Sequence, residues 1–270
     1  MSPTMTNVAL VAMGLIPSLA WLWFFSRKDC HPEPKNLLAQ TFLMGIIISP
    51  LAILFQFSFA QFASTITGTS QTLTQNSSYF FLWAAAVEEV IKFYAVKMLI
   101  LKNPEFDEPI DAMIYMITAG LGFAAMENIL VMFRIFPDGT QTTLATWALR
   151  FTGATLLHAL SSGLMGYFLA MSWFFRDHGK KLIVIGFIMA TIFHFTFNIF
   201  LSAFENRVTG LIYSTSLLMV MAFLVSILFD KIKERHTKTT ATLTVESRDI
   251  EVDHPNVVTT ISNKTINLLK

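Results

Sequence analysis

The stretch Trp83–Lys97, WAAAVEEVIKFYAVK, decides how this chain is read: two adjacent glutamates and a lysine sit inside a run otherwise apolar enough to span a membrane. A charged side chain at mid-bilayer costs about 2.5 to 3.5 kcal/mol on insertion scales. Glu88, Glu89, Lys92 and the similarly placed Glu127 would together cost roughly 10 to 14 kcal/mol if unpartnered, which rivals the whole stability of a typical fold, about 5 to 15 kcal/mol. These groups must therefore meet partners inside protein or in a wet cavity. Intramembrane charges kept at that cost point to a functional site.

On either side of this stretch, apolar runs long enough to cross the hydrocarbon core recur. Seven are expected, at 8–26, 37–62, 79–102, 110–135, 143–175, 182–204 and 210–232. Of the 270 residues 54% are hydrophobic and 14% charged, where soluble proteins carry about 25% charged residues. The fold class is all-α, a polytopic transmembrane helix bundle of the cell membrane with the lipid bilayer as its solvent. A net charge of +1 gives no sign of nucleic acid as a partner. The single cysteine, Cys30, allows no disulfide within the chain and is read as an inert thiol. No Lys or Arg precedes Arg27, so the first run lacks the basic flank of a cleavable signal peptide and is expected to be a retained helix.

Lys and Arg concentrate in cytoplasmic loops, and their distribution sets the orientation. Twelve fall on one side: Arg27, Lys28, Lys35, Lys97, Lys102, Arg176, Lys180, Lys181, Lys231, Lys233, Arg235 and Lys238. Only Arg134 and Arg207 fall on the other, which places the N-terminus outside and the C-terminus inside. Residues 1–236 then form the bundle. The Thr-rich stretch 237–270, without sustained periodicity, is expected to be a mobile cytoplasmic tail.

Polar residues inside the third to sixth spans form one constellation: Glu88, Glu89 and Lys92; Glu127 with Asn128; Arg150; His158; and His194 with Asn198. Positions four apart share a helix face, so Glu88 should stack on Lys92 and His194 on Asn198, while Arg150 and His158 lie two turns apart on one side. With a rise of about 1.5 Å per residue, Glu88 lies roughly 13 Å from the outer end of its span, Glu127 about 12 Å, His158 about 20 Å and His194 about 15 Å. They share one layer. Ser161 and Ser162 follow His158 by one turn, where hydroxyls commonly bond back to the preceding turn.

The series EEVIK at 88–92, DEPIDAMIYMITAGLGFAAMEN at 107–128, LRFTGATLLHALSSGLMGY at 149–167 and HFTFN at 194–198 resembles the PrsW family of intramembrane proteases. That family is similar in its motifs to the CAAX-processing and bacteriocin-processing membrane proteases. The resemblance covers about 80–200, which would be the protease core. It implies an endopeptidase that cuts a membrane-anchored protein substrate near the extracytoplasmic side, a regulator such as an anti-sigma factor. Peptide hydrolysis needs a base, oxyanion donors and an acid for the leaving amine. Glu88 is the expected base, assisted by Glu89 and Glu127; His194 and Asn198 are the expected donors; Lys92, Arg150 and His158 are the expected supports. The alternatives are a proton-coupled transporter or channel using the Glu/His layer as a relay, or an interaction module without chemistry.

Zinc is possible, with His158, His194 and Glu127 as a His₂Glu set. No HExxH is present, and Lys92 and Arg150 in the same layer would repel a divalent ion. Three glutamates against two cations leave −1, which a divalent ion would overshoot unless its water ionised. A metal-free glutamate mechanism is therefore the favoured expectation.

Overall fold

The computed structural model describes residues 2–29 and 31–253, with side chains described to 241. Cys30 and the end of the expected tail lie outside the described residues. Among them the structure is helical and contains no strand. Nine α-helices follow one another: α1 (Pro3–Ser26), α2 (Lys35–Thr67), the short α3 (Gln71–Gln75), α4 (Ser78–Leu99), α5 (Asp111–Ile135), α6 (Thr140–Thr152), α7 (Ala154–Phe174), α8 (Gly179–Ser202) and α9 (Arg207–Asp253). Their starts follow capping chemistry. Ser2, Ser70 and Ser77 each accept a backbone N–H of the first turn, at Met5, Leu73 and Phe80. Gly68, at φ 67°, ends α2 in the left-handed conformation that glycine adopts without strain.

Helix α5 is the axis of the bundle. Every residue from 111 to 125 is buried, as expected of a helix apolar around its whole circumference. Helices α1, α2, α4 and α7 surround it, α8 packs on α4 and α7, and α9 closes over α7 and α8. Backbone approach is close where glycine allows it. A Cβ on Gly122 would lie 2.0 Å from the Phe42 carbonyl oxygen of α2, and one on Gly120 would lie 2.2 Å from Ser162 Oγ of α7. Large apolar side chains instead face outward on the peripheral helices, among them Ile47 of α2 and Phe223 of α9. In water such a belt would be untenable, and in lipid it is the expected surface. The protein is a multi-pass integral protein of the cell membrane.

Among the described residues six helical stretches are long and apolar enough to cross a membrane: α1, α2, α5, α6 with α7, α8 and α9. The remaining expected span, 79–102, corresponds to α4, whose 22 residues rise about 33 Å. Glu88, Glu89 and Lys92 interrupt its apolar run near the middle, which separates it from those six. One expectation changes: the span at 143–175 is two helices, broken at Gly153 (φ −97°, ψ −91°). Of the expected tail 237–270, the described part continues helix α9 to Asp253.

Candidate active site

The charged residues of α4 turn inward because the helix presents Ala84, Ala85, Glu88, Glu89, Ile91, Lys92 and Ala95 as one buried face. That face meets α5, α7 and α8. Glu89 and Lys92 have no exposed surface at all, and His158 of α7 and His194 of α8 are buried beside them. The cluster resolves into two carboxylate-backed imidazoles facing a third carboxylate.

Glu89 is the hub. Its Oε1 accepts from Lys92 Nζ at 2.8 Å and from Ser161 Oγ at 3.0 Å, and lies 2.8 Å from His194 Nδ1. Lysine at i+3 is therefore the close partner. The expected Glu88–Lys92 stack at i+4 is a looser 4.0 Å contact through Glu88 Oε2. On the other flank, Glu127 Oε2 lies 3.0 Å from His158 Nε2 and accepts from Arg150 Nη2 at 3.2 Å. Arg150 also donates from Nε to Asn128 Oδ1 at 2.6 Å, and Asn128 Nδ2 donates to Thr155 Oγ1. Arg150 and His158 stand on different helices because of the break at Gly153, yet both reach the same oxygen of Glu127.

Each imidazole thus has one nitrogen on a glutamate and the other toward Glu88. His194 Nε2 lies 3.7 Å and His158 Nδ1 3.9 Å from Glu88 Oε2. That oxygen is buried and has no hydrogen-bond partner. Glu88 Oε1 accepts from Gln56 Nε2 of α2 at 2.9 Å. The two imidazole rings meet edge to face, 5.3 Å between centroids, and Phe123 closes the layer against His158.

A divalent ion fits this arrangement. Glu88, His158 and His194 offer donor atoms that all lie within 4.8 Å of one another, and an orphaned buried oxygen marks where a ligand would sit. Carboxylates on the far nitrogens are the partners that orient metal-binding histidines. The group differs from the expected His158, His194 and Glu127: Glu127 stands behind His158 instead of beside it. Lys92 Nζ, 2.8 Å from His158 Nδ1, is the one feature set against an ion.

Most of the expected residues converge, namely Glu88, Glu89, Lys92, Glu127, Arg150, His158 and His194. Asn198 does not: it is partly exposed one turn beyond His194, and among the described residues only its backbone carbonyl takes part in a side-chain hydrogen bond, from Ser202 Oγ. Sequence reasoning missed Gln56, a single amide in an apolar run, and Thr155. Ser161 does bond back to His158 O at 3.3 Å, as expected, but its contact with Glu89 is shorter.

A helical membrane bundle with a buried Glu/His cluster has the make-up an intramembrane hydrolase requires, and comparison with known proteins supplies the class. The family model described as PrsW family intramembrane metalloprotease matches residues 33–228. The chain belongs to the PrsW family of intramembrane proteases. It is 28% identical over 199 residues to Protease PrsW of Geobacillus kaustophilus, covering 73% of this chain and 82% of that protein. It is 25% identical over 202 residues to Protease PrsW of Bacillus subtilis, covering 73% and 85%. No solved structure matches the chain. The transporter alternative is not favoured.

Proposed function

We propose that the chain hydrolyses a peptide bond of a membrane-anchored protein within the membrane, using Glu88, His158 and His194 to hold a divalent ion such as zinc. The observation that carries this reading is the orphaned Glu88 Oε2, faced by two imidazoles that carboxylates hold from behind. When bound, such an ion makes water nucleophilic near neutral pH and polarises the scissile carbonyl.

The chain's own groups do the rest. Glu89, receiving the Nδ1 proton of His194, fixes that ring with Nε2 toward Glu88; Glu127 does the same for His158 through Nε2. Glu89 Oε2, a second buried oxygen of this cluster without a partner among the described residues, is the atom that takes the proton of the attacking water and returns it to the leaving amine. Lys92, 2.8 Å from Glu89 Oε1, places a cation in the same layer, where it stabilises the developing oxyanion. The burial of Glu88, Glu89 and both imidazoles excludes bulk water, which strengthens each of these interactions.

Access comes from the end of α5 that carries Glu127. The side chains of Glu127 and Arg150 are 27% and 21% exposed, while Glu89 and Lys92 behind them have no exposure. With the orientation set by the Lys and Arg distribution, that end is extracytoplasmic. A second reading, free of metal with Glu88 as base, is favoured by the Lys92–His158 contact, because an ammonium on Nδ1 occupies one metal-binding nitrogen.

The test compares membrane fractions of cells carrying wild type and Glu88→Gln by proteomics. Wild type should yield truncated membrane proteins with new ends at the outer side of their spans, absent from the variant at equal abundance. Identical truncation in both would refute the proteolytic role of the cluster, and ends on the cytoplasmic side would refute the orientation.

A further inference from the structure

In α2 one buried stripe carries the residue that reaches α4. Ala52, Gln56 and Ala60 recur at every fourth position, and both alanines are buried while most of their neighbours face outward. Small residues above and below Gln56 let the two helix backbones approach closely. The contact is pinned on the same side by Phe59, whose ring stacks on Trp83 of α4 with centroids 4.9 Å apart. The Trp83 indole N–H also reaches the Phe55 carbonyl. An amide in the middle of a membrane helix is costly unless it has a partner, and Gln56 uses its Nε2 on Glu88 Oε1 at 2.9 Å.

We propose that Gln56 is a positioning residue that anchors one oxygen of Glu88 so that the other, Oε2, is presented to His158 and His194. The inference rests on the peptidase reading above and goes beyond it, because α2 lies outside the motifs that carry the resemblance. A carboxylate is free to rotate about its terminal bonds. Lys92, His158 and His194 all lie 3.7 to 4.0 Å from Oε2, too far to hold it by hydrogen bonds. Among the described residues Gln56 is thus the one hydrogen-bonding anchor of the Glu88 side chain.

A packing role and a positioning role separate on Gln56→Leu, which keeps the volume, suits the apolar setting and removes the donor. Gln56→Met, unbranched like glutamine, is the second variant in case leucine disturbs the fold. Full-length wild type and both variants, purified in detergent, are titrated with zinc alone while thermal unfolding is followed. Unfolding should be unchanged and zinc affinity should fall about 10- to 100-fold in both variants, the range for losing a group that orients a metal ligand. Unchanged affinity in a folded variant, or a fall that only tracks lost thermal stability, overturns the proposal. Wild type that binds no zinc refutes the ion reading alone. Gln56 is then decided by the truncated membrane proteins per folded copy, which should fall by the same factor in Gln56→Leu and would refute the role if they did not.

Discussion

Two clusters of acidic side chains sit at opposite ends of α5, and they solve the same electrostatic problem differently. Around Glu88 the carboxylates meet nitrogen: two imidazoles, a lysine and an arginine, with two buried oxygens, Glu88 Oε2 and Glu89 Oε2, left without a partner among the described residues. Around Asp111, near the end where the chain enters α5, the carboxylates of Asp29, Glu33 and Asp111 come together with no imidazole among them. Asp111 Oδ2 accepts the backbone N–H groups of Asp107 and Glu108 at 3.0 and 2.7 Å, and Tyr115 donates its hydroxyl to Glu33 Oε2. Those bonds fasten the loop after α1 and the loop before α5 to the central helix. Burial holds the Glu33 carboxyl above its ordinary pKa, as suits a group kept for structure. One cluster combines nitrogen donors with unpartnered oxygens; the other holds loop backbone and a phenol.

The contrast is sharpest on stability. Lys92→Met strands Glu89 as a buried charge without its cation, and breaking a buried pair in this way costs about 3 to 5 kcal/mol. Thermal unfolding in detergent should show it as the largest drop of any single substitution in the cluster, together with lost cleavage. Retained stability would mean that Glu89 is neutral in the folded protein. At the other end, Asp111→Ala leaves two backbone N–H groups without their acceptor, at about 1 to 3 kcal/mol each if they stay buried. Its unfolding temperature should fall while cleavage per folded molecule stays at the wild-type level. Lost cleavage at unchanged stability would break the comparison and make the Asp111 cluster part of the chemistry.

How far the sequence revealed each cluster follows from the same difference. Glu88, Glu89, Glu127, His158 and His194 were legible because each is anomalous in an apolar run, and because orientation and rise per residue put them at one depth. The bundle was legible from run lengths. The break at Gly153 was not, since glycine inside an apolar run also reads as a packing residue. Nor was the choice of Glu89 over Glu88 as partner of Lys92, because i+3 and i+4 are both within reach on a helix. Gln56 stands alone as an amide in an apolar run, and its partner lies 32 residues away. The metal set shifted from Glu127 to Glu88 for a similar reason: sequence spacing cannot say which nitrogen of His158 faces which carboxylate.

The central claim is that Glu88, His158 and His194 hold an ion that the hydrolysis needs. Purified wild type reconstituted with a membrane protein that it truncates, assayed for bound zinc and for cleavage before chelation, after it and after zinc is returned, tests this directly. The account predicts close to one zinc per chain, cleavage lost on its removal and cleavage regained on its return; full cleavage by protein stripped of metal would contradict it.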